Sequence, residues 1–475
     1  METIKAESHN QKKLLHIAMF PWLAYGHLMP FLQLSKFLAQ KGHRISFIST
    51  PKNLHRLPTS SSLSPLIKLI ELPMPVVEGL PESAESTSDV PINKVPYLKK
   101  AYDKLELPLT HCLEDLEVNW IVIDFASHWL PRVATRLGIN SVYFTIFNAT
   151  TMAFLGPPSE ILGGERQQPE DFTVVPKWID FPNYDVKFKL HEVITHWECM
   201  EEEVSDFQRI AAGIQGCDFV ATRTCPEFDA DSLSLLNKLY GKPVVPLGLL
   251  PPPVLTDADG ADESEGDKWR SLREWLDNKK EKSVVYIALG TEVTLSREAM
   301  HELARGIEKS GLCFIWVLGN RQLVAEGPDM IPVGFETRVG DRGLVSRGWA
   351  PQLRVLAHSS IGGFLTHCGW SSVIEALEFG RVLILFSGAS SDQGLIARLM
   401  HNKRFGLEIP RDDRDGSFSS EAVAESIRRV MVDREGETLR KNAWAMREIF
   451  GNLNLNNKYL DEFAKVLETW PTSTS

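Results

Sequence analysis

The feature that most restricts the fold is a repeated alternation. Short apolar runs rich in β-branched residues are separated by longer stretches with helical periodicity. βαβ units wound around a parallel sheet leave this pattern in a sequence. In the first half the runs fall at 15–20, 44–49, 120–123, 141–146 and 219–221, the last expected to close a first sheet. Phe31, Leu34 and Leu38 then form a helical stripe, with Pro30 expected in the first turn, where its missing N–H costs nothing. The alternation restarts at 283–289, 313–317, 344–346, 362–365 and 382–386.

A chain of 475 residues is too long for one core. Between the two series lies Pro251-Pro252-Pro253, followed by Asp257, Asp259, Asp262, Glu263, Glu265 and Asp267 with almost nothing apolar among them. Proline stiffens and like charges repel, so 251–270 reads as a solvated linker. The expected division is 1–250, the linker, 271–455, and a last helix and tail at 456–475 that returns to the first domain. Two doubly wound α/β domains place a ligand in the cleft where the C-terminal ends of their strands face each other.

A formal charge of −11 argues against nucleic acid and against an anionic membrane surface, both of which call for a basic face. Local amides can still hold an anionic nucleotide inside an acidic protein. The six cysteines are scattered, with no CxxC, which implies reduced thiols and a cytosolic chain. The start of the chain carries no secretory pattern, and no run of about 18 apolar residues suggests a membrane span.

Several general motifs fail. There is no GxGxxG after a strand and no GxxxxGK[ST], which removes the main support for nicotinamide or P-loop chemistry. His191 and His196 flank Glu192 as in a zinc-protease HExxH, but one residue too far apart. Five positions turn a helix by about 140°, so the two rings cannot share a metal. Asp257-Ala258-Asp259 is a literal DxD placed in the acidic linker, not at a strand end. No metal site is expected.

The informative stretch is Trp349-Ala350-Pro351-Gln352, His358, Gly362-Gly363-Phe364-Leu365-Thr366-His367-Cys368-Gly369-Trp370-Ser371-Ser372, Glu375 and Asp392-Gln393. Its centre is a buried strand and a tight turn opening a helix near Gly369, whose free N–H groups and dipole favour phosphate. His367, Ser371 and Ser372 add hydrogen-bond donors, Trp349 a flat face for a base, and Trp370 an apolar face for a sugar ring. Glu375 can accept from ribose hydroxyls, while Asp392 and Gln393 suit adjacent sugar hydroxyls. In the first half, His27 follows the first strand and Asp124 ends a later one. A carboxylate behind an imidazole fixes its tautomer and supports the imidazolium that forms when it takes a proton.

This segment resembles the signature box of the plant UDP-dependent glycosyltransferases (glycosyltransferase family 1), and the likeness extends over nearly the whole chain. The opening Phe20-Pro21-Trp22-Leu23-Ala24-Tyr25-Gly26-His27 is most similar to a branch that adds sugars to existing glycosides. The resemblance implies the GT-B fold, two Rossmann-like domains facing a cleft, the first binding acceptor and the second UDP-sugar. It implies His27 as base with Asp124 behind it. Trp349 would stack on uracil, Ala350 and Gln352 touch its edge or the ribose, and Glu375 bind the ribose. His367 and Ser372 would hold the diphosphate, Thr291 help bind the nucleotide, and Trp370, Asp392 and Gln393 hold the sugar. The implied reaction moves a sugar, glucose first, from a UDP-sugar to a hydroxyl of a small lipophilic natural product such as a flavonoid or terpenoid, or its glycoside. It inverts the anomeric carbon and uses no metal or other cofactor.

There are departures from the family pattern. Ser371 stands where Asn is usual, Arg381-Val382 replace Val-Pro, Ser387-Gly388 fall where a proline is common, and the interval to Asp392 is one residue longer. Two other readings fit a nucleotide-sugar cleft: an epimerase, which needs no acceptor, and a non-catalytic UDP-sugar binder, which has no use for His27 and Asp124.

Overall fold

The structure, a computed structural model, describes residues 13–57, 64–197, 203–253, 263–290, 293–319, 330–348, 350–388 and 392–471. Thr291, Trp349 and the Asp257-Ala258-Asp259 triplet lie outside the described residues.

Two wholly parallel sheets organise these residues. The first contains β1 (His16–Phe20), β2 (Arg44–Ser49), β3 (Ile67–Glu71), β4 (Trp120–Ile123), β5 (Asn140–Thr145), β6 (Phe219–Thr222) and β7 (Val244–Pro246), in the order β3-β2-β1-β4-β5-β6-β7. The second contains β8 (Val284–Ala288), β9 (Cys313–Leu318), β10 (Gly343–Arg347), β11 (Ile361–Thr366), β12 (Val382–Leu385) and β13 (Gly406–Glu408), in the order β10-β9-β8-β11-β12-β13. Each is doubly wound, with strand order reversing between β1 and β4 in one sheet and between β8 and β11 in the other. The crevice at such a reversal is where open α/β sheets bind ligands.

Central strands are buried along their whole length, as β4 and β8 are, because helices cover both faces of a parallel sheet. The first sheet has a separate apolar core on each face, one of which includes Leu460, Phe463 and Leu467 of the helix Leu453–Thr469. That helix is pinned there by Trp120 Nε1, which donates to the Leu467 carbonyl at 3.2 Å, and by an ion pair between Lys41 and Asp461. The core around the second sheet also takes in Phe154, Phe172, Val193, Phe228 and Leu249 from the first half, so the two halves share apolar packing.

Three sequence expectations need correction. Residues 219–221 do not close the first sheet, since β7 pairs beyond β6. The helix after β1 starts at Tyr25, so Pro30 lies inside it and not in its first turn. The acidic linker is shorter than 251–270, because a helix, Glu263–Asp277, already occupies its second part and buries Leu272 and Leu276.

Candidate active site

His27 lies in the first turn of the helix Tyr25–Gln40, just past the C-terminal end of β1. Asp124 follows β4, the neighbouring strand across the reversal. Parallel pairing of β1 with β4, which sets Phe20 beside Ile123, brings the two side chains together. His27 Nδ1 lies 2.8 Å from Asp124 Oδ2, with side-chain exposures of 13 % and 2 %. The same carboxylate accepts from the Trp22 amide at 2.9 Å and the Phe125 amide at 2.7 Å. An ionised carboxylate only accepts, so Nδ1 carries the proton and Nε2 keeps its lone pair. The Phe125 ring packs 5.5 Å from the imidazole and also meets Trp22.

The second sheet repeats the arrangement at its own reversal. His367 follows β11 and its ring fills the space left by two glycines. A Cβ on Gly290, after β8, would fall 2.8 Å from the ring, and one on Gly369 2.6 Å from it. Burial lowers the His367 imidazole to about 4, the Ala288 carbonyl opposing, so the ring is neutral at neutral pH.

Gln352 opens the helix Gln352–Ala357, and its Nε2 donates to Glu375 at 2.7 Å and to the Ser372 hydroxyl at 3.3 Å, while Tyr286 donates to its Oε1 at 3.4 Å. Burial raises the Glu375 carboxyl, with Gln352 and Arg223 working against the shift. Ala350, two residues before Gln352 in the chain, is buried. Gln352 therefore joins Ser372 and Glu375 on the helix Trp370–Glu378, while His367 stands two residues before its N-cap Gly369, and that N-terminus has no side-chain cap.

Trp370 is a correction. The expected sugar-facing ring is 4 % exposed and packs against Phe228 and Phe450 at centroid distances of 5.5 and 6.1 Å. Its Nε1 donates to the Arg223 carbonyl at 2.9 Å. As the first residue of its helix it points its side chain back into the apolar seam between the halves. Ser371 is held by an unexpected partner, Arg223, whose Nη1 donates to its hydroxyl at 2.7 Å.

Asp392 and Gln393, both buried, begin the helix Gln393–Asn402. The unusual residues before them have partners. A Cβ on Gly388 would lie 2.0 Å from Gln393 Oε1, so glycine there lets the amide sit against the loop. Ser387 donates to Glu192 Oε1 at 2.6 Å, and Arg398 on the same helix as Gln393 pairs with Glu192 Oε2 and with Glu408. Glu192, the centre of the failed HExxH, thus ties the first half to the segment before Asp392. Burial works against its charge, but Arg398, Ser387 and the Lys189 amide outweigh it and hold the carboxyl below its ordinary value. Arg381, the other departure, donates to the carbonyls of Leu356, Ile361, Ala357 and His358, closing off the end of the helix Gln352–Ala357.

Residues 250–449 match the family model described as UDP-glucoronosyl and UDP-glucosyl transferase. The chain is 48 % identical to UDP-glycosyltransferase 91C1 of Arabidopsis thaliana over 469 residues, covering 98 % of this chain and 99 % of that protein. It belongs to the plant UDP-glycosyltransferases. This UDP-glycosyltransferase is also 38 % identical to the soyasaponin III rhamnosyltransferase of Glycine max, over 99 % of both chains. Among solved structures it superposes on UGT73P12 of Glycyrrhiza uralensis with a TM-score of 0.79 at 21 % identity, covering 96 % of each chain, which places the glycosyltransferase in the GT-B fold. The enzyme transfers a sugar from a UDP-sugar to an acceptor. No helix among the described residues is long and apolar enough to cross a membrane.

Proposed function

We propose that the enzyme carries out one inverting displacement, moving glucose from UDP-glucose to a hydroxyl of a small lipophilic natural product or a glycoside of one. The observation that supports this most is the 2.8 Å contact between His27 Nδ1 and Asp124. It leaves Nε2 able to take the acceptor proton, which a poor nucleophile such as an alcohol needs. The acceptor oxygen attacks the anomeric carbon, the bond to the diphosphate breaks, and His27 becomes an imidazolium beside Asp124. UDP departs against His367, Ser372 and the uncapped N-terminus of Trp370–Glu378, whose donors stabilise the developing charge without requiring a metal. Glu375 and Gln352 take the ribose, and Trp349 and Thr291 the rest of the nucleotide.

Asp392 and Gln393 are assigned to the sugar hydroxyls. Rhamnosyltransferases among the relatives make UDP-rhamnose the alternative donor. Incubating the enzyme with UDP-glucose, UDP-rhamnose or UDP-xylose and a set of flavonoids, terpenoids and their glycosides, read by mass spectrometry, tests the reading. A hexose adduct formed from UDP-glucose is expected. Free or epimerised sugar with no acceptor adduct would favour the epimerase reading, and UDP-sugar binding with no turnover the binder. Gln393→Ala should slow turnover of UDP-sugar while leaving free UDP affinity near the parent's. An equal loss for both would move Gln393 to the nucleotide.

A further inference from the structure

Arg223 follows β6 in the first half and is among the largest fully enclosed side chains, at 2 % exposure. Buried charges are ordinarily paired, because an isolated ion in a protein interior is costly. Among the described residues no carboxylate pairs directly with this guanidinium. It donates instead to three neutral oxygens: Leu249 O at 2.8 Å, Leu250 O at 2.9 Å and Ser371 Oγ at 2.7 Å. Leu250 adopts a φ of +49°, uncommon for a side chain of that shape, and so presents its carbonyl to the arginine. In return the Arg223 carbonyl accepts from Trp370 Nε1. The residue is thus fixed from both ends against the first two residues of the helix Trp370–Glu378.

Glu375, later on the same helix, acts on the guanidinium electrostatically without a hydrogen bond, and two further facts make the helix start a place for a second anion. That helix has no side-chain cap, so its first-turn amides are still open to an acceptor. Ser371 Oγ accepts from Arg223, which turns its own proton away from the arginine and polarises it as a donor. The serine that replaces the family's usual asparagine is short enough to leave room for the guanidinium.

We propose that Arg223 is a positioning residue for the diphosphate, contributed by the acceptor-binding half. Through Ser371 it sets a fixed positive charge and an oriented hydroxyl at the helix N-terminus, where the diphosphate meets both. This rests on the donor-site reading above, in which the diphosphate lies at that N-terminus. It follows that the first half takes part in holding the leaving group and not only the acceptor.

Calorimetric titration of UDP and of uridine separates this role from a merely structural one. Arg223→Met and Ser371→Ala should each weaken UDP by roughly 10–100-fold, the range of a charge-assisted hydrogen bond, with uridine changed by no more than about twofold. Arg223→Lys, which keeps the charge, should restore part of the UDP affinity. A folded Arg223→Met protein that keeps the parent ratio of UDP to uridine affinity, or loses both ligands equally, overturns the proposal. Should Arg223→Met fail to fold, Ser371→Ala decides, since the buried arginine is intact and an unchanged ratio there overturns it equally. If the parent protein itself does not prefer UDP to uridine, the donor-site reading falls, and the role of Arg223 with it.

Discussion

Replacing His27 by alanine should lower turnover of an alcohol acceptor by about 10²–10⁴-fold, the usual contribution of a positioned general base. Free UDP affinity should stay near the parent value, because the nucleotide is assigned to the other sheet. Asp124→Asn should also slow the reaction, though less. The amide can donate to Nδ1, which favours the tautomer with its proton on Nε2 and so removes the lone pair the base needs. The Trp22 amide donates to Oδ2 and the Phe125 amide to Oδ1, so in either orientation the asparagine NH2 faces one backbone N–H, and some loss of stability at this turn accompanies the loss of rate. Stopped assays with an aliphatic alcohol acceptor, alongside UDP titration, check both variants. A folded His27→Ala protein with near-parent turnover would remove the base from the mechanism. An acidic phenol, which can arrive ionised, should suffer a smaller loss.

The second large effect is on stability. Arg398→Met removes the cation from a buried cluster in which Glu192 and Arg398 are only 2 % and 9 % exposed. Breaking such a pair from one side costs about 3–5 kcal/mol, because the surviving charge stays buried. Adding Glu192→Gln should recover part of that loss. Equilibrium urea unfolding read by fluorescence measures both, and a change under about 1 kcal/mol for Arg398→Met would show that the cluster is not coupled as described. The pH dependence has a definite sign. The Glu192 carboxyl is lower in the folded protein than when unfolded, so its contribution is present above the ordinary carboxylate value and is lost as pH falls through the folded one. The stability gap between the parent and Glu192→Gln should therefore narrow on the acid side.

Which parts of this molecule are legible in sequence follows from how local each feature is. β1, β4, β8, β11 and β12 sit inside their sheets and are written as apolar runs. β7 and β13 are three residues each at sheet edges, too short to carry a pattern, and β3 buries only its first residue fully. The donor box is readable because its residues fall within one stretch of chain and fold onto one helix N-terminus. Trp370 departs from expectation for a related reason: the box fixes the residue but not which side of the helix it takes, and the apolar seam claims the ring. Arg223 and Glu192 leave no local trace, since their partners Ser371 and Arg398 are 148 and 206 positions away. The one hint is an arginine directly after an apolar strand, at Ala221-Thr222-Arg223.

The central claim is a single displacement in which His27 activates the acceptor and UDP leaves directly from the anomeric carbon. The most direct test is the configuration of the new glycosidic bond, read by NMR from product made with α-linked UDP-glucose. One in-line displacement must give the β-glycoside. An α-linked product would mean that a covalent sugar intermediate or a different route intervenes, and would contradict His27 as the base of a single direct transfer.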